Sequence, residues 1–387
     1  MDTAAGRPGP AGGHAGDLFG AVPGRVNGLA DVPGTAVGHA PARDSDGGEL
    51  SSGVTVVATP AGAVGAVDVR GGGPGTRETD LLAPANAAQA VHAVALCGGS
   101  AFGLDAAGGV MAGLENHGAG LRVLGDAAPD LIVPIVPAAV IFDLPVGSPA
   151  ERPDAACGRE ALERALGALD ELPGVTGPAL NGSVGAGRAA TAGAVKGGFG
   201  QASAVLPSGV TVAVGLVTNP VGSVVDPATG LPWGLGSELC GEFDRYRDGD
   251  GTLPDPGAGG RERLLARGLG GTKLPVPGGD GGMSPLNTVI GVVATDAPVT
   301  KAQAQRLATS AHDGLARAVR PSHLPMDGDT FFALSTGGGG DTGAGMPVED
   351  LAVLMSVAAD CAERAVVHSV LAASSLYGVP SWKELMT

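Results

Sequence analysis

The pair Asn287-Thr288 opens an apolar run, Thr288 to Ala294 (TVIGVVA), directly after a long stretch rich in Gly, Pro and Asp. Taken alone, Asn-Thr before a strand is an ordinary turn. Its chemistry can be more specific. If the Thr288 hydroxyl attacks the preceding carbonyl and that bond breaks, Thr288 becomes a new N-terminus. One residue then carries both a nucleophile and an amine able to act as its base. A strand would hold this residue rigidly, and a flexible segment before it could move away. Met326-Asp327-Gly328-Asp329-Thr330 stands just before a second apolar run, TFFALST. Asp327 and Asp329 can cap a turn or bind a cation. Beside the Thr288 strand they would instead place two carboxylates near one hydroxyl. Such pairs titrate apart, one serving as acid or base and the other as orienter. Lys196, in Ala194-Val-Lys196-Gly-Gly, reads as a snorkelling lysine or as a desolvated amine beside the nucleophile. Asn219-Pro220 ends an apolar run, and Asn219 is a turn starter or an oxyanion donor. His312 and His323 read as structural or solvent-facing.

The elements that must position these residues follow from pattern. Residues 1–25 read as a flexible arm. Thr35–Gly38 and Val54–Ala58 are β-like, and Arg70-Gly-Gly-Gly-Pro-Gly-Thr-Arg77 is a loop by composition. Leu81 to Leu96 is Ala-rich and helix-compatible, and Leu104 to Asn116 is a second helix. Leu121 to Leu144 reads as strands and edges broken by prolines. Gly158 to Glu171 is an amphipathic helix, and Gly209 to Val217 a buried strand. Glu238 to Met283 has few core residues and reads as exposed and partly mobile. Beyond it, Thr288–Ala294 is a strand, and Thr300 with Gln303 forms a capping box for a helix to about Val319. Thr330–Thr336 is a strand, and Pro347 starts a last helix to about Ala373.

The chain has 387 residues and a net charge of −16, with 44% hydrophobic and 16% charged residues. That excludes global disorder. The acidity and the few aromatics (7 Phe, 2 Tyr, 2 Trp) argue against nucleic-acid binding. Cys97, Cys157, Cys240 and Cys361 form no CxxC pair, which disfavours a zinc ribbon and suits a reducing cytoplasm. The N-terminus lacks a basic-then-apolar signal pattern. The most apolar run, Leu131 to Phe142, holds Pro134 and Pro137 and is too short to span a bilayer. There is no Gly-Lys dipeptide, no His-Glu-x-x-His and no Gly-x-Ser-x-Gly. Gly185-Ala-Gly187-Arg-Ala-Ala190 imitates a dinucleotide fingerprint, but a Gly/Ala-rich strand packing closely on another explains it better. Asn181-Gly-Ser183 is a glycosylation sequon without a secretion signal.

In order, Arg70-Gly-Gly-Gly, Leu96-Cys-Gly-Gly-Ser-Ala-Phe-Gly-Leu-Asp105, Val140-Ile-Phe-Asp143, Gly185-Ala-Gly187, Asn219-Pro-Val-Gly222, Asn287-Thr288 and Met326-Asp-Gly-Asp-Thr330 resemble one family. It is the DmpA-like group of self-cleaving hydrolases, which includes L-aminopeptidase/D-Ala-esterases, β-peptidyl aminopeptidases and nylon-oligomer hydrolases. The resemblance covers roughly residues 30–375. Thr288, Asp327 and Asp329 match the nylon-oligomer-hydrolase arrangement rather than the Ser, Ser and Glu of the aminopeptidase branch. The resemblance implies an α+β fold, a four-layer αββα sandwich of the N-terminal-nucleophile type. It implies cleavage at Asn287–Thr288, giving fragments 1–287 and 288–387, and the segment 238–283, partly mobile by its composition, precedes the break. The fragments would stay associated and assemble as a homotetramer of heterodimers. Thr288 would be the nucleophile, Asp327 and Asp329 would orient and tune it, Lys196 would sit beside it, and Asn219 would stabilise the oxyanion. Phe142 stands where the nylon-oligomer hydrolases carry Tyr, keeping the ring without the hydroxyl at the substrate pocket. No metal or organic cofactor is implied.

The resulting expectation is a cytoplasmic amide hydrolase acting on small amides or short peptides, with linear 6-aminohexanoate oligomers the specific substrate the resemblance suggests. The net charge would favour substrates with a free amine. Rival expectations are an aminopeptidase or D-Ala esterase-amidase, an acyltransferase of the ornithine-acetyltransferase type, and an uncleaved binding protein.

Overall fold

The computed structural model describes residues 18–170, 180–275, 287–338 and 345–387. Its centre is one long strand that serves two sheets. β2 (Glu49–Val69) pairs through Val54–Ala58 with β1 (Ala36–Arg43) on one side and β4 (Val91–Cys97) on the other. Further along, Val64–Val69 pairs instead with β9 (Thr330–Ser335). The first sheet continues from β4 to β5 (Ala138–Val140) and β3 (Thr76–Arg77). The second runs β6 (Gly198–Val205), β7 (Thr211–Thr218), β8 (Ile290–Thr295), β9 and then β2. All its pairs are antiparallel except β8–β9, which is parallel.

Alternation along the strands sorts side chains into layers. Val57, Val94, Leu96, Phe199, Ile290, Val292, Phe332 and Leu334 meet between the two sheets. Val54, Val56, Ala93 and Ala95 face the other way, onto α1 (Ala106–Asn116) and α2 (Ala155–Asp170). Val214, Leu216, Val293 and Phe331 face α4 (Lys301–Ala318) and α5 (Val348–Leu371). The order is therefore helices, sheet, sheet, helices: the four-layer αββα sandwich. Thr300 caps α4, its hydroxyl accepting from the Gln303 N–H while the Gln303 side chain accepts from the Thr300 N–H. α4 forms the crossover that parallel pairing of β8 and β9 requires.

Four readings of the sequence change. Val91–Cys97 is a strand, not the end of a helix over Leu81–Leu96. Alanine favours helices, but this run is buried on both faces at mid-sheet, where tertiary packing overrides propensity. Gly185–Gly187 is a tight 3-10 turn rather than a strand. The close approach is there, since a Cβ on Gly187 would stand 2.1 Å from the Phe199 nitrogen. The arm expected over 1–25 packs down before its end. Val22 exchanges two backbone hydrogen bonds with Val205, and Ala21 is buried; residues 1–17 lie outside the described residues.

Residues 238–275 also take up structure: short 3-10 turns and α3 (Gly257–Ala266). Phe243 is fully buried. Glu242 accepts from both Arg364 (Nη2 2.8 Å, and Nε) and from His368 Nε2 (2.9 Å), so this segment is pinned to α5. Burial works against the Glu242 charge, but Arg364 and His368 outweigh it and hold the carboxyl far below its ordinary range. The remainder of the segment expected to be mobile, 276–283, lies outside the described residues. Among the described residues no helix is long and apolar enough to cross a membrane.

α4 and α5 touch at Gly314, where a Cβ would lie 2.0 Å from the Ala359 carbonyl oxygen. Gly314→Ala therefore sets a helix-propensity gain of about 1 kcal/mol against overpacking worth roughly 1–3 kcal/mol, with backbone as the obstacle. Chemical denaturation should show a net loss of stability. A stabilised variant would mean that the two helices separate freely.

Candidate active site

Parallel pairing builds the site. Ile290 lies opposite Thr330, and the ladder extends backward so that Asn287 bridges Asp327. The Thr330 N–H donates to Val289 O (3.0 Å), and the Gly328 N–H donates to Asn287 O (2.9 Å). On the opposite side, β7 ends at Thr218, and the next residue, Asn219, accepts the Thr288 N–H at its carbonyl (3.0 Å). The Thr288 hydroxyl donates to Asn287 O at 2.5 Å. Every polar atom of the Asn287–Thr288 peptide is thus engaged. Its carbonyl oxygen faces a backbone donor, and its nitrogen faces a backbone acceptor.

Gly328 makes room for this arrangement. A Cβ there would stand 2.8 Å from Thr288 Oγ1 and 2.7 Å from Gly73 O. The loop Arg70–Gly73 lies flat along the same turn. The Arg70 and Gly71 N–H groups donate to Asp329 O (2.9 and 3.2 Å), and the Gly73 N–H donates to Asp327 O (2.8 Å). Side chains at Gly71 or Gly72 would collide with the backbone of 325–329. The glycine run read as a loop therefore braces the aspartate turn.

Both aspartates are buried and point inward. Asp329 Oδ1 accepts the Val289 N–H (2.8 Å), and Oδ2 accepts the backbone N–H of His323 (3.1 Å) and meets its Nδ1 (2.8 Å). Asp327 accepts from the N–H groups of Val221 (3.2 Å) and Leu324 (3.0 Å). Burial and then the neighbouring Asp329 push the Asp327 carboxyl up to about 6, against the pull of these N–H groups and of Lys273. His323 is thus a structural partner of Asp329, and His312 stacks edge-on against it with ring centroids 4.9 Å apart.

The remaining residues fall into two groups. Asn219 Oδ1 accepts from Thr191 (N–H 2.9 Å, hydroxyl 3.3 Å), and its Nδ2 donates to Phe142 O (3.1 Å). Asn219 therefore meets Thr288 through its carbonyl. Lys196 does not reach solvent as a snorkelling lysine would. It is fully buried, and its amine donates to Gly187 O (3.0 Å) and Gly197 O (2.9 Å). Burial lowers its pKa to about 7, with buried Asp143 opposing. It lies opposite Thr191, the residue that donates to Asn219.

The lysine that reaches Asn287 is Lys273, which sequence reasoning passed over. Its amine donates to Asn287 Oδ1 and approaches Asn219 Oδ1 (3.3 Å) and Asn219 O (3.5 Å). Burial holds it well below its ordinary pKa. The one available signal was rarity: Lys273 is among four lysines in an arginine-dominated chain. A cleft of about 210 Å³ opens beside Thr288 and Asn287, lined by Gly73–Gly75, Ser100, Phe142 and Met326 among others. Among the described residues no cluster of His, Cys, Asp or Glu suits a metal ion.

Residues 27–382 match the family model described as peptidase family S58. A protein of Mycobacterium tuberculosis named an uncharacterized aminopeptidase is 47% identical over 370 residues, covering 93% of this chain and 98% of that one. The 6-aminohexanoate-oligomer endohydrolase of Paenarthrobacter ureafaciens is 31% identical over 337 residues, covering 84% and 80%. Among solved structures, a Burkholderia sp. beta-aminopeptidase superposes with TM-score 0.63 at 22% identity, covering 94% of this chain and 93% of that one. The L-aminopeptidase D-Ala-esterase/amidase of Ochrobactrum anthropi, titled a variant of the Ntn hydrolase fold, gives TM-score 0.63 at 20% identity, covering 94% and 91%.

The carboxyl geometry has a direct readout. Carbon-13 NMR of aspartate carboxyls should show Asp327 titrating near pH 6. Asp329→Asn, which removes the neighbouring charge, should move that midpoint down. A midpoint that rises or stays fixed would mean the two carboxylates do not feel each other.

Proposed function

Since the chain belongs to peptidase family S58, we propose that it is an amide hydrolase that matures by breaking its own Asn287–Thr288 bond and then works through the Thr288 hydroxyl. The observation carrying this reading is the peptide itself. The hydroxyl lies against the bond it would attack, Gly328 N–H stands where the oxyanion would form, and Asn219 O holds the nitrogen that would leave.

In maturation, Thr288 gives up its hydroxyl proton to a neighbouring base, and Oγ1 bonds to the Asn287 carbonyl carbon. The Gly328 N–H stabilises the charge that gathers on oxygen. The C–N bond then breaks, and the Thr288 nitrogen takes a proton, leaving an ester between Asn287 and Thr288 Oγ1. Water adds to that ester and releases the Asn287 carboxylate. The mature Thr288 now has a free amine beside its hydroxyl, so nucleophile and base share one residue. Attack on a substrate amide repeats the sequence: an acyl ester forms on Oγ1, the substrate amine departs with the proton, and water frees the acid. Asp327, with its pKa near 6, is suited to exchange protons here, while Asp329 fixes the strand through Val289.

The pieces would remain one molecule. β8 and β9, from residues 288–387, lie between β7 and β2 of residues 1–287 and hydrogen-bond to both. The substrate class follows the relatives. The 47%-identical relative is named an aminopeptidase, which supports removal of N-terminal residues from short peptides. Linear 6-aminohexanoate oligomers are the second reading, supported by the 31%-identical endohydrolase.

Purified wild type, Thr288→Ala and Thr288→Ser should be assayed on aminoacyl p-nitroanilides and on linear 6-aminohexanoate oligomers. Thr288→Ala should lose roughly a thousandfold or more of the wild-type rate, and Thr288→Ser, which keeps a hydroxyl, should retain measurable turnover. Full activity in Thr288→Ala would overturn the assignment. The preferred panel separates the two substrate readings.

A further inference from the structure

In the uncut chain, Asn287 occupies the place that an acyl group takes on the enzyme. Self-cleavage and turnover pass through the same linkage, an acyl ester on Thr288 Oγ1. What surrounds the Asn287 side chain before cleavage therefore surrounds the side chain of a substrate acyl residue afterwards, provided the walls stay. They are anchored independently of the bond that breaks. The Lys273 N–H donates to Val221 O (2.9 Å), Arg267 Nε donates to Ala194 O (2.9 Å), and Asn219 Oδ1 is held by Thr191.

Resting on the proposed self-cleavage, we propose that Lys273, Asn219 and Met326 form the acyl-side subsite of the mature enzyme. It takes an N-terminal L-residue whose side chain carries a carbonyl on Cβ, asparaginyl first and aspartyl second. The contacts of Asn287 map the subsite. Its backbone N–H donates to Met326 O (3.3 Å), marking the position of the substrate's free amine. Its Oδ1 accepts from Lys273, marking the side-chain end. Its carbonyl oxygen meets the Gly328 N–H. Lys273 is buried, and among the described residues the acceptors around its amine are Asn219 O, Asn219 Oδ1 and Asn287 Oδ1, with the Asp327 charge also acting on it. When Asn287 leaves, one donor direction of a desolvated amine loses its acceptor. A substrate that restores the acceptor is favoured over one that leaves it empty. An aspartyl carboxylate supplies the acceptor but also brings a third acid beside Asp327 and Asp329, which ranks it second.

The test uses matured wild-type enzyme and five p-nitroanilides: L-Asn, L-Asp, L-Ala, L-Leu and 6-aminohexanoyl. Asn should exceed Leu and Ala in kcat/KM by roughly ten- to a hundredfold. Equal or higher kcat/KM for Ala or Leu overturns the subsite, as does a matured enzyme that leaves all five untouched. In Lys273→Met the Asn-to-Ala ratio should fall toward one, mainly through KM for Asn, and an unchanged ratio overturns the role of Lys273. If that variant stays uncut, the wild-type series decides by itself. Hydrolysis without Asn preference sinks this inference alone, whereas an uncut yet active wild type sinks the reading beneath it.

Discussion

The structure depends on the clamp that two neighbouring strands place on one peptide bond. β7 ends with its next carbonyl, at Asn219, against the Thr288 N–H, and the turn before β9 sets the Gly328 N–H against the Asn287 carbonyl. Neither contact involves a side chain, so both follow from register. Slipping β8 by one residue would turn Thr288 to the opposite face and exchange the layers of Ile290, Val292 and Val293. That slip is blocked by the packing of both faces, since these residues are fully buried between sheets or against α4 and α5. The position of a single hydroxyl is thus fixed by the hydrophobic order of a four-layer sandwich.

Around that clamp the protein buries more charge than a core normally accepts. Lys196, Lys273, Asp143, Asp327 and Asp329 are all nearly inaccessible to water. Buried ionisable groups persist when they are hydrogen-bonded, and their pKa values move toward the neutral form. Both effects appear: Asp327 rises to about 6, Lys196 falls to about 7, and burial holds Lys273 well below its ordinary value. Asp143 is raised by burial, although the hydroxyl of Ser52 (2.8 Å) and the Gly99 N–H (2.6 Å) donate to it. Asp327 and Lys196, poised in this way, can exchange protons near neutral pH, the condition acid–base catalysis needs.

Much of this was legible from residues alone. The strand–helix–strand–helix order after Thr288 and the capping box at Thr300 follow from local pattern, because short-range signals decide them. The adjacency of the Asp327 turn to Thr288 follows from that order, since a strand–helix–strand unit brings its two strands side by side. Three features were not legible. The helix expected through Leu96 is a strand because alanine propensity yields to burial at mid-sheet. The glycines after Arg70 revealed a loop but not its task, since bracing the 325–329 turn is a contact distant in sequence. Lys273 was hidden in a segment that reads as exposed. Its burial depends on Val221, Asn219 and Asn287 converging from elsewhere in the chain, and a segment poor in apolar residues gives no periodic sign of that.

The central claim is that the working enzyme has a broken chain with threonine at the new end. Intact-mass measurement of the purified wild-type protein tests it most directly. Two species are expected, with masses matching residues 1–287 and 288–387, co-eluting under native conditions and separating only on denaturation. A single species near 37.4 kDa that hydrolyses amides at full rate would contradict it.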